Sequence, residues 1–120
     1  MSFNRIRVSR QATARLSMLK GRTGLTPNIL CRIGLCLSLS DPSIPDPQSY
    51  DESGQEFNRY TLTGELDIFF MALMKERLLH DNLDPDKDLI PNFKAHLNRG
   101  AIALFDKVKN LGDLSELLPM

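Results

Sequence analysis

The sequence predicts a mainly α-helical single domain that opens on one short strand. Three observations carry this. Apolar spacing changes from period two to a helical period near residue 10. Three later segments keep helical spacing between glycine, proline or capping signals. Only residues 41–54 hold enough proline to forbid a helix.

Each element follows in order. In residues 3–9, Ile6 and Val8 fall on one side of an extended chain, and Arg5, Arg7 and Ser9 on the other. Residues 10–22 place Ala12, Leu16 and Leu19 on one helical stripe, and Gly21 and Gly24 offer an end. Thr26 then offers a cap, with Pro27 in the first helical position, where no N–H partner is needed. The second helix carries Ile29, Leu30, Ile33, Leu35, Leu37 and Leu39, with Arg32 its only charge. It is apolar nearly all round and should be buried or meet another subunit. Residues 41–54 read as a linker or a long packed loop. Phe57 to Thr63 favours a short strand. A helix is expected from Glu65 to His80, with Leu66, Phe69, Phe70, Leu73 and Arg77 on one side. Another is expected from Pro91 to Lys109, with Leu97, Ala101, Leu104, Phe105 and Val108 on one face. Asp113 to Glu116 resembles a capping box for a final turn.

The chain of 120 residues suits one domain, 1–120, with one modest core, and domains of this size often lean on oligomerisation. Apolar residues make up 42% and charged residues 25%, values of a globular protein rather than a disordered tail. The first residues, Met-Ser-Phe-Asn-Arg, lack the apolar core of a signal peptide. The longest apolar stretch, Ile68 to Met74, is far short of the roughly 18 residues a membrane span needs. Cys31 and Cys36 lie five apart and diverge on a helix, so both are expected to be free and buried in a reducing, cytoplasmic setting.

The zero net charge hides an asymmetry. Residues 1–40 hold seven basic and no acidic side chains, while residues 41–120 hold eight basic and all fifteen acidic ones. A basic half joined to an acidic half points to a polyanion, either nucleic acid or the chain's own acidic half. Strand, basic helix, turn and apolar helix in this order are similar to a ribbon-helix-helix module, in which strands from two chains pair and enter the major groove. Arg5 and Arg7 would then face base edges, with Arg7 the base reader. Arg10, Lys20 and Arg22 would meet phosphates, and Arg15 would belong to the same DNA-binding surface, with Thr26 and Asn28 at the helix start whose free N–H groups can hold a phosphate. Lys107 and Lys109, in the acidic half, are expected to matter less. The competing reading is an amphipathic start to a helical bundle, its arginines solvated or paired to downstream acids.

Two stretches add a family resemblance: Leu19-Lys20-Gly21-Arg22-Thr23-Gly24-Leu25-Thr26-Pro27-Asn28-Ile29-Leu30-Cys31-Arg32, and Arg59-Tyr60-Thr61-Leu62-Thr63-Gly64-Glu65. Through them the chain resembles the DndE family of bacterial DNA sulfur modification, in which a non-bridging phosphate oxygen is replaced by sulfur. The resemblance implies a DNA-binding subunit of that machinery. It implies contact with double-stranded DNA, nicked duplex included, and with other subunits of the complex. It also implies a homo-oligomer, taken as a tetramer.

Enzymatic readings find little support. Asp84, Asp86 and Asp88 mimic the start of a calcium loop, but Leu89 and Ala95 stand where it needs Gly and Glu. No acid stands two residues before a lysine, as a common metal-dependent nuclease motif requires. His80 pairs at helical spacing only with Glu76. Tyr60 and Tyr50 lack a paired-histidine site, and Tyr60 is expected to pack. Cys31 and Cys36 suggest a sulfur relay, but their helix is apolar and thiolates need an electropositive, accessible setting. The expectation is a DNA-binding subunit that is not an enzyme, with no catalytic, cofactor or metal residues. The alternatives are an assembly scaffold docked on an acidic partner, and a nicking or sulfur-handling enzyme.

Overall fold

A computed structural model describes residues 3–117. The order is β1 (Arg5–Arg7), α1 (Arg10–Thr23), α2 (Pro27–Leu39), a 3-10 turn at Pro47–Ser49, β2 (Glu56–Asn58), α3 (Arg59–Thr63), a 3-10 turn at Gly64–Leu66, α4 (Asp67–His80), α5 (Leu89–Lys107) and α6 (Leu111–Leu117). The fold is mainly helical with one small sheet.

The two strands pair antiparallel, Arg5 opposite Asn58, Ile6 opposite Phe57 and Arg7 opposite Glu56. The ribbon is therefore closed within one chain, whereas the ribbon-helix-helix comparison expects β1 to pair with a second chain. Ile6 and Phe57 turn into the core and the flanking residues face outward, as period two requires. β2 is shorter than its composition suggested. The Asn58 side chain accepts from the N–H groups of Tyr60 and Thr61, which caps α3 and ends the strand.

Ser9 caps α1, its Oγ accepting from the Ala12 N–H at 3.0 Å. Gly24 ends α1 at φ 77°, a left-handed conformation, and its N–H donates to Lys20 O. Thr26 and Pro27 begin α2 as expected, although the Thr26 hydroxyl makes no capping bond.

Helices α2 and α5 form the centre. They cross where Gly34 meets Gly100: a Cβ on Gly34 would lie 2.8 Å from the Gly100 carbonyl carbon. Leu30 and Leu35 from α2 pack with Phe93, Leu97 and Leu104 from α5, Leu16 and Leu19 from α1, and Met74 and Leu78 from α4. On α4 the buried set is Phe70, Met71, Met74, Arg77 and Leu78, while Leu66 and Phe69 are exposed, so the inward face is rotated from the expected stripe.

Residues 41–46 form a surface loop tied to the helices by hydrogen bonds, with Pro45 its one buried residue. Arg77 donates to Leu39 O at 3.0 Å and Ser43 O at 2.6 Å, and Arg99 donates to Ser38 O and Ser43 O at 2.8 and 2.9 Å. Arg77 also pairs with Asp81 at 2.8 Å. These two arginines satisfy the free carbonyls where α2 ends. Arg32 does the same for α3, donating to Leu62 O and Thr61 O. The final helix starts three residues earlier than expected: Asn110 Oδ1 accepts from the Asp113 N–H, and Asp113 accepts from the Lys109 N–H.

Candidate nucleic-acid interface

The basic segment divides into groups with different surroundings. Arg5 and Arg7 stand on the outer face of the ribbon. Arg5 pairs with Glu56 at 3.1 Å, and Arg7 with the same carboxylate at 3.5 Å while donating to Gly54 O at 2.9 Å. Exposed pairs of this kind are worth about 0–1 kcal/mol, so they soften the positive charge without locking it.

Helix α1 holds Arg10, Arg15, Lys20 and Arg22 and no acid. At about 100° per residue, Arg15 and Arg22 share one stripe, while Lys20 and Arg10 point elsewhere. Arg10 is exposed, beside Asp51, whose carboxylate accepts from the Arg10 N–H at 3.1 Å. Lys20 is exposed at the last turn, where cations also suit the helix dipole.

Arg15 and Arg22 converge on Phe105 of α5. Their guanidinium carbons lie 4.5 and 4.3 Å from the ring centroid, and Lys109 Nζ lies 5.3 Å from it. Such contacts contribute about 0.5–1 kcal/mol each at exposed sites. Arg22 also donates to Val108 O at 3.4 Å, and Arg15 Nε is buried without a hydrogen-bond partner. Phe105 packs half-buried against the core, as its place on the apolar face of α5 predicts, while Lys109, expected to matter less, stands at its ring. No local spacing could bring residue 109 beside residues 15 and 22; the packing of α1 on α5 does.

Thr26 is exposed and Asn28 half-buried at the start of α2. Both lie at the opening turn of α2, where backbone N–H groups lack helical partners.

Of the groups considered for chemistry, Cys36, Glu76 and His80 line one open groove with Ser40 and Arg77. Cys31 is buried, and burial pushes its thiol up to about 12. Cys36 is exposed rather than buried as expected, and its thiol is also raised by desolvation. Tyr60 is exposed rather than packed. The Asp84 and Asp88 carboxylates close their own turn by accepting backbone N–H groups. Among the described residues, no three of His, Cys, Asp and Glu gather to hold a metal ion, and no helix is long and apolar enough to cross a membrane.

Fold and surface together define a small, mainly helical protein whose cationic face is built on α1 and the end of α5. The family model for "DNA sulphur modification protein DndE" matches residues 5–111, and the chain belongs to the DndE family. Membership implies a role in DNA phosphorothioation. The chain is similar to the crystal structure of DndE from Escherichia coli B7A, described as involved in DNA phosphorothioation modification. That match has 32% identity and a TM-score of 0.72, and covers 87% of this chain and 98% of the other. It is also similar to a double glycine-to-lysine mutant of DndE, at 28% identity and TM-score 0.69, covering 87% of this chain and 99% of that one. Comparison with curated proteins gives no match.

Proposed function

We propose that this protein is a non-enzymatic, cytoplasmic DNA-binding subunit of the sulfur-modification machinery. It contacts duplex DNA, nicked duplex included, through the cationic face, and works as a homo-oligomer beside other subunits of the complex. The observation that carries this reading is the charge of α1, which no direct ion pair among the described residues neutralises; Asp51, beside Arg10, is the acid that stands near it. Its four cations come with no acid on the helix, and none of the ion pairs among the described residues uses Arg10, Arg15, Lys20 or Arg22. A phosphate backbone is the partner that such a face fits.

The test is binding of intact, nicked and single-stranded DNA across a salt series. Duplex affinity should fall steeply with salt, because each phosphate contact releases counterions, with a slope of about −0.9 per contact on a log–log plot. Lys20→Ala should lower affinity about equally on all sequences. No duplex binding at low salt would overturn the proposal.

A scaffold reading has one observation in its favour. Leu66, more than half exposed, lines an open groove with Ile33, Cys36, Leu37 and Phe70, and Phe69 and Ile68 are exposed on α4, Ile68 at 85% on the side of Met71 and Lys75. Exposed apolar surface of this kind marks a protein contact. It is compatible with DNA binding on the α1 face, and the salt series separates the two.

A further inference from the structure

We propose that Arg15, Arg22 and Lys109, gathered on Phe105, form a seat for the phosphodiester backbone, with the Phe105 ring as the platform that holds the cations together. This rests on the DNA-binding reading above. It adds that the C-terminal half of the chain supplies part of the contact.

The geometry is the first argument. With each charged group within 5.3 Å of one ring centroid, no two of the three are more than about 10 Å apart. Like charges that close repel one another. None of the ion pairs among the described residues uses any of the three. The nearby Asp113 carboxylate is engaged with the Lys109 backbone N–H, at 2.7 Å. The cluster is therefore held by a neutral aromatic face and makes no direct ion pair, an arrangement that an added anion relieves.

The second argument is the hydrogen-bond inventory. Arg15 Nε is buried and unpartnered, an unusual state for a guanidinium, and being closed to a ligand it adds no donor to the seat; Arg15 contributes through the rest of its guanidinium, which makes no hydrogen bond among the described residues. Arg22 donates one N–H to Val108 O, at 3.4 Å, and lies over the ring. Two guanidiniums with open donors and one ammonium offer the planar and point-charge donors that phosphate oxygens accept. The third argument is the contrast with Arg5 and Arg7, which share the Glu56 carboxylate and already have acceptors.

In this arrangement Arg15, Arg22 and Lys109 touch the phosphate and Phe105 positions them. The experiment is fluorescence anisotropy of the full-length protein with a labelled duplex over a salt series, with circular dichroism of each variant to confirm folding. Lys109→Ala, on an exposed side chain, should lower duplex affinity about tenfold near 0.1 M salt and reduce the salt slope by roughly one. Phe105→Leu should weaken binding, and Phe105→Tyr, which keeps the ring, should restore it. Lys107→Ala, two residues away, should bind as the parent protein does. Normal binding by folded Lys109→Ala and Phe105→Leu would overturn the seat while leaving DNA binding intact. An equal loss with Lys107→Ala would also overturn it, because net charge alone would then explain the effect. A parent protein that binds no duplex would overturn the DNA-binding reading and the seat with it.

Discussion

His96 shows how a single side chain ties the centre of the molecule together. It is 1% exposed on α5, with Nδ1 2.8 Å from Ser38 Oγ. Arg99 Nε donates to that same oxygen at 2.8 Å, so the Ser38 hydroxyl proton is directed to His96, whose Nδ1 accepts. The imidazole is neutral. Burial first, then the Arg77 and Arg99 charges, lower its pKa from 6.5 to about 4. In the unfolded chain the ring takes up a proton at higher pH than in the folded one. The stability linked to His96 is therefore fully present above about 6.5 and is lost as pH falls toward about 4. Asp41, Asp51 and Asp84 are held low by backbone N–H groups of Ser43, Ser53 and Lys87, so their contribution is lost only below their ordinary value of 3.8. Denaturant unfolding between these limits should show stability falling with pH, and His96→Gln should flatten that slope. An unchanged slope in the variant would remove His96 as the cause. Little of this was legible in the sequence, because Ser38, His96 and Arg99 become neighbours only when α2 crosses α5.

The elements make the same point through glycine. Gly34 and Gly100 let α2 and α5 approach until backbone meets backbone, with the Gly34 Cβ position 3.0 Å from Gly100 O. Gly34→Ala should destabilise the protein by about 1–3 kcal/mol, since backbone cannot yield as a flexible side chain does. It should do so despite the roughly 1 kcal/mol that alanine gains over glycine in a helix. Gly21, on α1, has nothing within 4 Å of its Cβ position, so Gly21→Ala should leave stability unchanged or raise it. Thermal melts of the two variants should move in opposite directions; a Gly34→Ala melt at or above that of the parent protein would mean that the helices can separate cheaply. Helix starts and stops near Thr26, Pro27 and Gly24 were legible because capping is local chemistry. The face of α4 was not, because apolar residues surround that helix and only its neighbours select which side is buried.

For the whole molecule, the open question of the apolar second helix is partly answered by its packing. Leu30, Cys31, Gly34 and Leu35 are buried, while Ile33 and Leu37 stay half-buried along the groove beside Leu66 and Phe70. With Leu66 more than half exposed there, this leaves an apolar surface that a protein partner would cover. The purified protein should therefore be a homo-oligomer, taken as a tetramer. Light scattering at micromolar concentration decides it: a mass of 13.6 kDa, that of one chain, would refute the proposal.

The sequence by itself determined the helical class, the opening strand, the basic first forty residues and the family. Periodicity, capping and charge order are carried by residues close together in the chain. Tertiary structure alone decided that the ribbon closes on residues 56–58, that Arg77 and Arg99 hold the proline-rich loop, and that Lys109 joins Arg15 and Arg22 on Phe105. The contacts that bring these segments together join residues 34 to 90 positions apart, and no local pattern encodes them. They arise because burying the apolar faces of α1, α2, α4 and α5 in one core leaves each polar side chain a single set of neighbours.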